Sequence, residues 1–210
     1  MAERKGCDVS KWQSEVDWKR LKESGQVSFV ILRAGLGRFS SQEDDRFRAN
    51  YAGCRAVDLP VGVYWYSYAN DRTAAREEAR ACLAVIGDKQ LEYPVWFDQE
   101  YNAATKNMTV KQRTDVVKSF CDELENAGYY TGLYCSRNWL TSYVDSTKLK
   151  AYDIWVAAYN KTPGNVPLPY GMWQYSSTGT LPGIGTNVDL DIAYKNYPSI
   201  IRRAGLNNLR

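Results

Sequence analysis

The 210-residue chain contains no histidine. That absence removes the Ser-His and Cys-His nucleophile pairs and every zinc centre that needs imidazole. Acid–base work falls to carboxylates, tyrosine, lysine or cysteine. The five cysteines, Cys7, Cys54, Cys82, Cys121 and Cys135, show no CxxC spacing. Cys54, Cys82 and Cys121 fall on apolar helix stripes and read as small, buried and reduced. No metal and no organic cofactor is expected. No apolar run is long enough to span a bilayer, and the charged start "MAERKGCDVS" leads into no signal-peptide core. Export by another route, release by a phage, or loss of a leader and further domains are the expectations that follow. The formal net charge of +3, with no Lys/Arg cluster, is too small to argue for nucleic acid. It is compatible with an acidic wall polymer. "RAGLGRF" lacks the residues of a phosphate-binding loop. No repeat or linker is visible, so residues 1–210 read as one domain with its core at about 6–194, assumed monomeric.

What is present is aromatic: 7 Trp and 16 Tyr. Such rings fill cores, and they also stack on half-apolar ligands such as sugars. Strand and helix alternate through the first two-thirds. "KGCDVS", "VSFVILRAG", "LPVGVYWYSYAN", "YPVWFDQE" and "YYTGLYCS" read as strands. Between them lie helices, the clearest being "TVKQRTDVVKSFCDELENAG". Its Thr109 and Gln112 make a capping box, Val116, Phe120 and Leu124 form its stripe, and Gly128 ends it. After Asn138 the strands "YDIWVAAYN", "YGMWQYSS" and "TNVDLDIAY" are joined by Pro/Gly-rich turns. The expectation is a flattened, TIM-like β/α barrel with fewer helices than strands, with an open doubly wound sheet as the alternative.

Parallel β/α folds carry chemistry at the carboxyl ends of their strands. Asp8 ends the first strand, Asp98 and Glu100 the fourth, and Asp189 lies in the last. Asp98 and Glu100 stand two residues apart and therefore share a strand face. They read either as a polar strand end with a salt bridge or as an acid pair in a catalytic mouth. Arg33, Tyr64, Tyr66, Tyr134, Trp155, Tyr159, Trp173 and Gln174 cluster at the same strand ends and make a candidate sugar-binding rim. Each has a plainer reading: Asp8 as a turn cap, Arg33 as an ion-pair partner, the rings as core or barrel wall. Asp191, two residues past Asp189, carries no specific signal.

"DVSKWQ", "VGVYWYSYA", "YPVWFDQE", "GLYCS", "IWVAAY", "MWQYSSTGTLPGI" and "VDLD" occur in one order. In that order they resemble the glycoside hydrolase family 25 lysozymes, the Chalaropsis-type N-acetylmuramidases. The resemblance implies a flattened β/α barrel that cuts the β-1,4 bond after N-acetylmuramic acid in bacterial peptidoglycan, acting at the cell wall. It implies an acid set of Asp8, Asp98, Glu100 and Asp189, with Tyr64 as the barrel-facing tyrosine. Two positions depart from the pattern: Trp65 stands where many members have histidine, and Asp191 where asparagine is common. Within this resemblance Glu100 is the expected general acid, its pKa raised by Asp98. Substrate-assisted catalysis through the 2-acetamido group and direct inverting displacement with Asp8 as base both stay open. So do a chitin hydrolase and a barrel that only binds wall glycan.

Overall fold

The computed structural model describes residues 3–209. Eight strands close into a barrel in sequence order: β1 (Arg4–Val9), β2 (Phe29–Leu36), β3 (Val61–Tyr66), β4 (Val95–Asp98), β5 (Thr131–Ser136), β6 (Asp153–Ala157), β7 (Met172–Gly179) and β8 (Val188–Ala193). Strands β1 to β7 run parallel, whereas β8 is antiparallel to both β7 and β1. A reversed last strand needs only a turn from β7, not a crossover helix, which accounts for the Pro/Gly turn between β7 and β8; the Pro-rich link from β6 to β7 joins parallel strands without a helix.

The helices α1 (Trp18–Glu23), α2 (Phe47–Ala56), α3 (Arg72–Ile86), α4 (Val110–Asn126) and α5 (Arg137–Ser142) follow the first five strands, and α6 (Tyr197–Ala204) follows β8. The Thr109–Gln112 capping box opens α4, and Gly128 supplies the positive φ just beyond its end. Two short helices escape the periodicity reading, α5 and α6. Six and eight residues give too few turns for a stripe to stand out.

Strand alternation sorts the side chains into two bodies. Val30, Leu32, Val61, Val63, Val95, Phe97, Leu133 and Ile154 point outward, onto Ala75, Ala79, Cys82 and Ile86 of α3 and Val116, Phe120 and Leu124 of α4. Phe29, Ile31, Trp96, Trp155, Met172 and Ala193 point inward and fill the lower barrel with Tyr93 and Tyr197. Gly6 has no side chain because one there would run into the Phe29 ring. All five cysteines are buried and unpaired. Among the described residues no helix is long and apolar enough to cross a membrane.

Candidate active site

The inward face of each strand turns from apolar to polar as it approaches the carboxyl end of the parallel strands. Ile31 gives way to Arg33, Trp96 to Asp98, Met172 to Gln174 and Gly6 to Asp8, each step being two residues. β8 runs the other way, so Asp189 lies uppermost, Asp191 beneath it and Ala193 on the floor. The result is a pocket of about 180 Å³ lined by Asp8, Arg33, Tyr64, Tyr66, Asp98, Glu100, Tyr134, Trp155, Gln174 and Asp189. A second pocket of about 620 Å³ adjoins it and shares Glu100 and Tyr134. Its other walls include Tyr101, Ser136, Asn138, Tyr143 and Tyr159. Glu100 thus stands on the ridge between two chambers.

The polar groups are tied together. Gln174 Nε2 donates to Asp8 Oδ2 at 2.7 Å, while its Oε1 accepts from Tyr134 Oη at 2.7 Å and Tyr159 Oη at 2.8 Å. Both tyrosines therefore orient the amide that orients Asp8. Arg33 pairs with Asp44 through Nε and Nη2, both at 2.6 Å from Oδ2. The ion-pair reading of Arg33 holds, and the pair lies on the pocket wall. The loop bearing Glu100 is fixed from behind. Thr105 Oγ1 donates to the Glu100 carbonyl at 2.8 Å, and Arg113 donates to the Thr105 carbonyl at 2.9 Å. The Arg113 guanidinium also lies 5.2 Å over the Trp139 ring and 5.1 Å over that of Tyr143.

The two acids of "FDQE" differ in setting. Asp98 is buried, and its Oδ1 has no hydrogen-bond partner. Burial pushes its pKa well above the carboxylate range, Glu100 adds to the rise, and the Arg33 cation opposes it. Glu100 is less enclosed; its pKa is raised by burial first and by the charge of Asp189 second. Asp98 is the deeper of the two acids, and their like charges oppose each other's ionisation. Asp189 is raised to about 6, chiefly by burial.

Trp173 is the one expected rim residue that lies elsewhere. It neighbours Gln174, so only one of the two can face inward. Gln174 does, and Trp173 packs in the outer core with its Nε1 donating to the Ala158 carbonyl at 2.9 Å. Tyr159 lies past the end of β6, in the larger chamber. Two residues behind the pocket make contacts that the sequence reading did not assign. Asp191 is fully buried beneath Asp8 and Asp189 and accepts from Trp155 Nε1 at 2.9 Å. Its period-two relation to Asp189 was the available signal. Asn102 bridges two site loops, donating from Nδ2 to the Ser67 carbonyl at 3.0 Å. No sequence motif marked it.

The family model for Glycosyl hydrolases family 25 matches residues 7–184. The chain belongs to that family. Among its relatives, an autolytic lysozyme of Clostridium acetobutylicum is 31% identical over 187 residues, covering 89% of this chain and 55% of the relative. Lysozyme M1 of Streptomyces globisporus is 26% identical, covering 88% of this chain and 65% of its own length. The chain thus spans between half and two-thirds of these two proteins. Among solved structures, the modular autolysin LytC of Streptococcus pneumoniae, in complex with a synthetic peptidoglycan ligand, superimposes with a TM-score of 0.82 at 27% identity. That match covers 91% of this chain and 47% of LytC. A bacterial lysozyme of Streptomyces coelicolor shares the fold at a TM-score of 0.80 over 99% of this chain and 98% of its own, with 24% identity. The family's barrel, closed by a last strand that adds no helix between β7 and β8, is the fold the motif order implied.

Proposed function

We propose that this chain is a muramidase: it cleaves the β-1,4 bond between N-acetylmuramic acid and N-acetylglucosamine in bacterial peptidoglycan, with assistance from the substrate's own 2-acetamido group. The reading rests above all on Asp98, a buried carboxyl with one oxygen lacking a donor, beside Glu100 at the junction of two chambers. An acetamido N–H is the donor that oxygen lacks. Membership of the family and the peptidoglycan ligand held by LytC support the same substrate class.

In this account the muramic acid sugar occupies the smaller chamber and the leaving glucosamine the larger one. The acetamido N–H donates to Asp98, and that bond favours the ionised carboxylate, whose proton leaves to solvent as the sugar enters. Charged Asp98 then sharpens the acetamido carbonyl, which attacks the anomeric carbon. Binding also closes solvent away from Glu100 and holds its proton in place. Glu100 gives that proton to the departing O4 as the glycosidic bond breaks. A water then opens the cyclic intermediate, with Glu100 accepting its proton, and the anomeric configuration is retained. Asp8 and Asp189 supply negative potential to the oxocarbenium-like centre and receive a hydrogen bond from the entering water. Wall glycan is the sole partner this account requires, and the protein acts where that glycan lies, after secretion or phage release.

Digestion of purified peptidoglycan, followed by identification of the new reducing ends, tests this reading. Muramic acid at the reducing end is expected; glucosamine there, or faster cleavage of chitin oligomers, would redirect it. Glu100→Gln removes the acid while nearly keeping its shape. A loss of about 10²–10⁴-fold in a folded protein is expected.

A further inference from the structure

Asp191 is a carboxyl that the proposed reaction does not use. It is fully enclosed, on the inward face of β8, opposite Gly6 of β1 and Gln174 of β7. Asp8, opposite Asp189, is its diagonal neighbour on β1. Oδ1 of Asp191 accepts from Trp155 Nε1. Oδ2 is buried and receives no N–H or O–H from the rest of the chain. What faces it is Asp8, whose own Oδ2 is already occupied by Gln174 Nε2. Two ionised carboxylates are acceptors only and cannot bond to each other. A hydrogen bond between Asp8 and Asp191 therefore requires a proton on one of them.

We propose that Asp191 is a positioning residue that holds this proton and donates it to Asp8, keeping Asp8 charged and aimed into the mouth. Solvation decides which acid keeps the proton. Asp189 is the most exposed of the three and Asp8 opens onto the pocket, whereas Asp191 has no opening. The least solvated acid is the one that stays neutral. Among the facing groups, the charge of Asp189 raises the pKa of Asp191, contact with Asp8 and Trp155 lowers it, and Gln174 is neutral; Asp98 lies across the barrel from Asp8. The nearby cation, Arg33, is already paired with Asp44. A neutral Asp191 offers one donor and one acceptor, matching its two neighbours, Asp8 and Trp155.

Carboxyl carbon NMR of aspartate-labelled protein, titrated across neutral pH, tests the assignment. Asp191 is expected to remain protonated at pH 7 while Asp8 is ionised; an ionised Asp191 at that pH overturns the proposal. The kinetic arm rests on the muramidase reading, and the NMR arm does not. Asp191→Leu removes the donor, so the Asp8 pKa rises and the acid limb of kcat moves to higher pH. kcat is expected to fall about tenfold or more with KM within about twofold. Asp191→Asn has an N–H to give Asp8 and an oxygen for Trp155, so it should recover most of the loss and return the limb. If Asp191→Asn stays as impaired as Asp191→Leu, with its limb displaced, the donor role is wrong. If Asp191→Leu does not fold, the acid limb of Asp191→Asn, set against that of wild type, decides in its place. Should wild type leave wall glycan intact, the muramidase reading falls and the NMR titration alone decides on Asp191.

Discussion

Asp8 of β1 and Asp189 of β8 are directly opposed partners in one antiparallel strand pair. Like charges at such a position disfavour the sheet. The fold carries that cost at the mouth of the barrel, where Gln174 steadies Asp8 and burial raises the pKa of both acids. Charge placed there acts on whatever occupies the pocket, and it acts on Glu100 as well.

The pH profile should separate the two neighbours of Glu100. Glu100 must be protonated, so activity falls as pH rises through its pKa. In the free protein the neighbouring charge that raises that pKa is Asp189. Asp189→Asn should therefore move the alkaline limb of kcat/KM to lower pH. In the proposed account Asp98 acts in its charged form with the acetamido group bound, so Asp98→Asn should move the alkaline limb of kcat instead, with a large loss in kcat. The measurement is kcat and KM against pH for both variants on a soluble wall fragment. An unmoved kcat/KM limb in folded, active Asp189→Asn would remove Asp189 from the control of Glu100.

Glu78 gives a stability prediction. It lies fully buried in α3, accepting from Ser67 Oγ at 2.6 Å and from the Tyr68 N–H at 2.9 Å. Burial raises its pKa to about 7. A carboxyl raised from its unfolded value near 4.3 stabilises the fold fully below that value and loses the contribution as pH climbs through 7. Glu78→Gln does not titrate. Its stability relative to wild type should improve between pH 4 and pH 8 by on the order of 3 kcal/mol. Denaturant unfolding at the two pH values measures the change; parallel curves would contradict it.

The rim aromatics should act on binding. Trp12 is exposed in the short 3-10 helix Lys11–Gln13 that follows β1, and Tyr101 is exposed on the loop after β4. Trp12→Ala and Tyr101→Ala should each raise KM on polymeric wall glycan about three- to tenfold, the worth of one stacking contact. Trp173→Phe, which alters the outer core, should lower the unfolding midpoint and leave KM in place. A Trp173→Phe effect on KM equal to that of Tyr101→Ala would reverse the assignment of faces.

Much of this site was legible because the inward strand face has period two. Tyr64 with Tyr66 on β3, and Asp8 and Asp98 at strand ends, follow that rule, whereas Glu100 lies on the loop two residues past the end of β4. The same rule, applied to adjacent residues, shows why Trp173 and Gln174 could not both face the pocket. It also marks Asp191 as a companion of Asp189. What spacing could not supply was depth. Asp98 and Glu100 look equivalent in sequence, yet the barrel encloses one and leaves the other on a ridge. Nor could it foresee contacts across long separations. Gln174 with Asp8 is made by barrel closure, and Asn102 with Ser67 by the pairing of β3 with β4. α6 was too short for its period to register.

The stereochemistry of the first-formed product tests the central claim most directly. Proton NMR, recorded within the first moments of cleaving a soluble glycan fragment, reports the anomer at the new reducing end before mutarotation. Acetamido participation held by Asp98 predicts the β-anomer of N-acetylmuramic acid, with configuration retained. The α-anomer appearing first would mean direct displacement by water and would contradict the account.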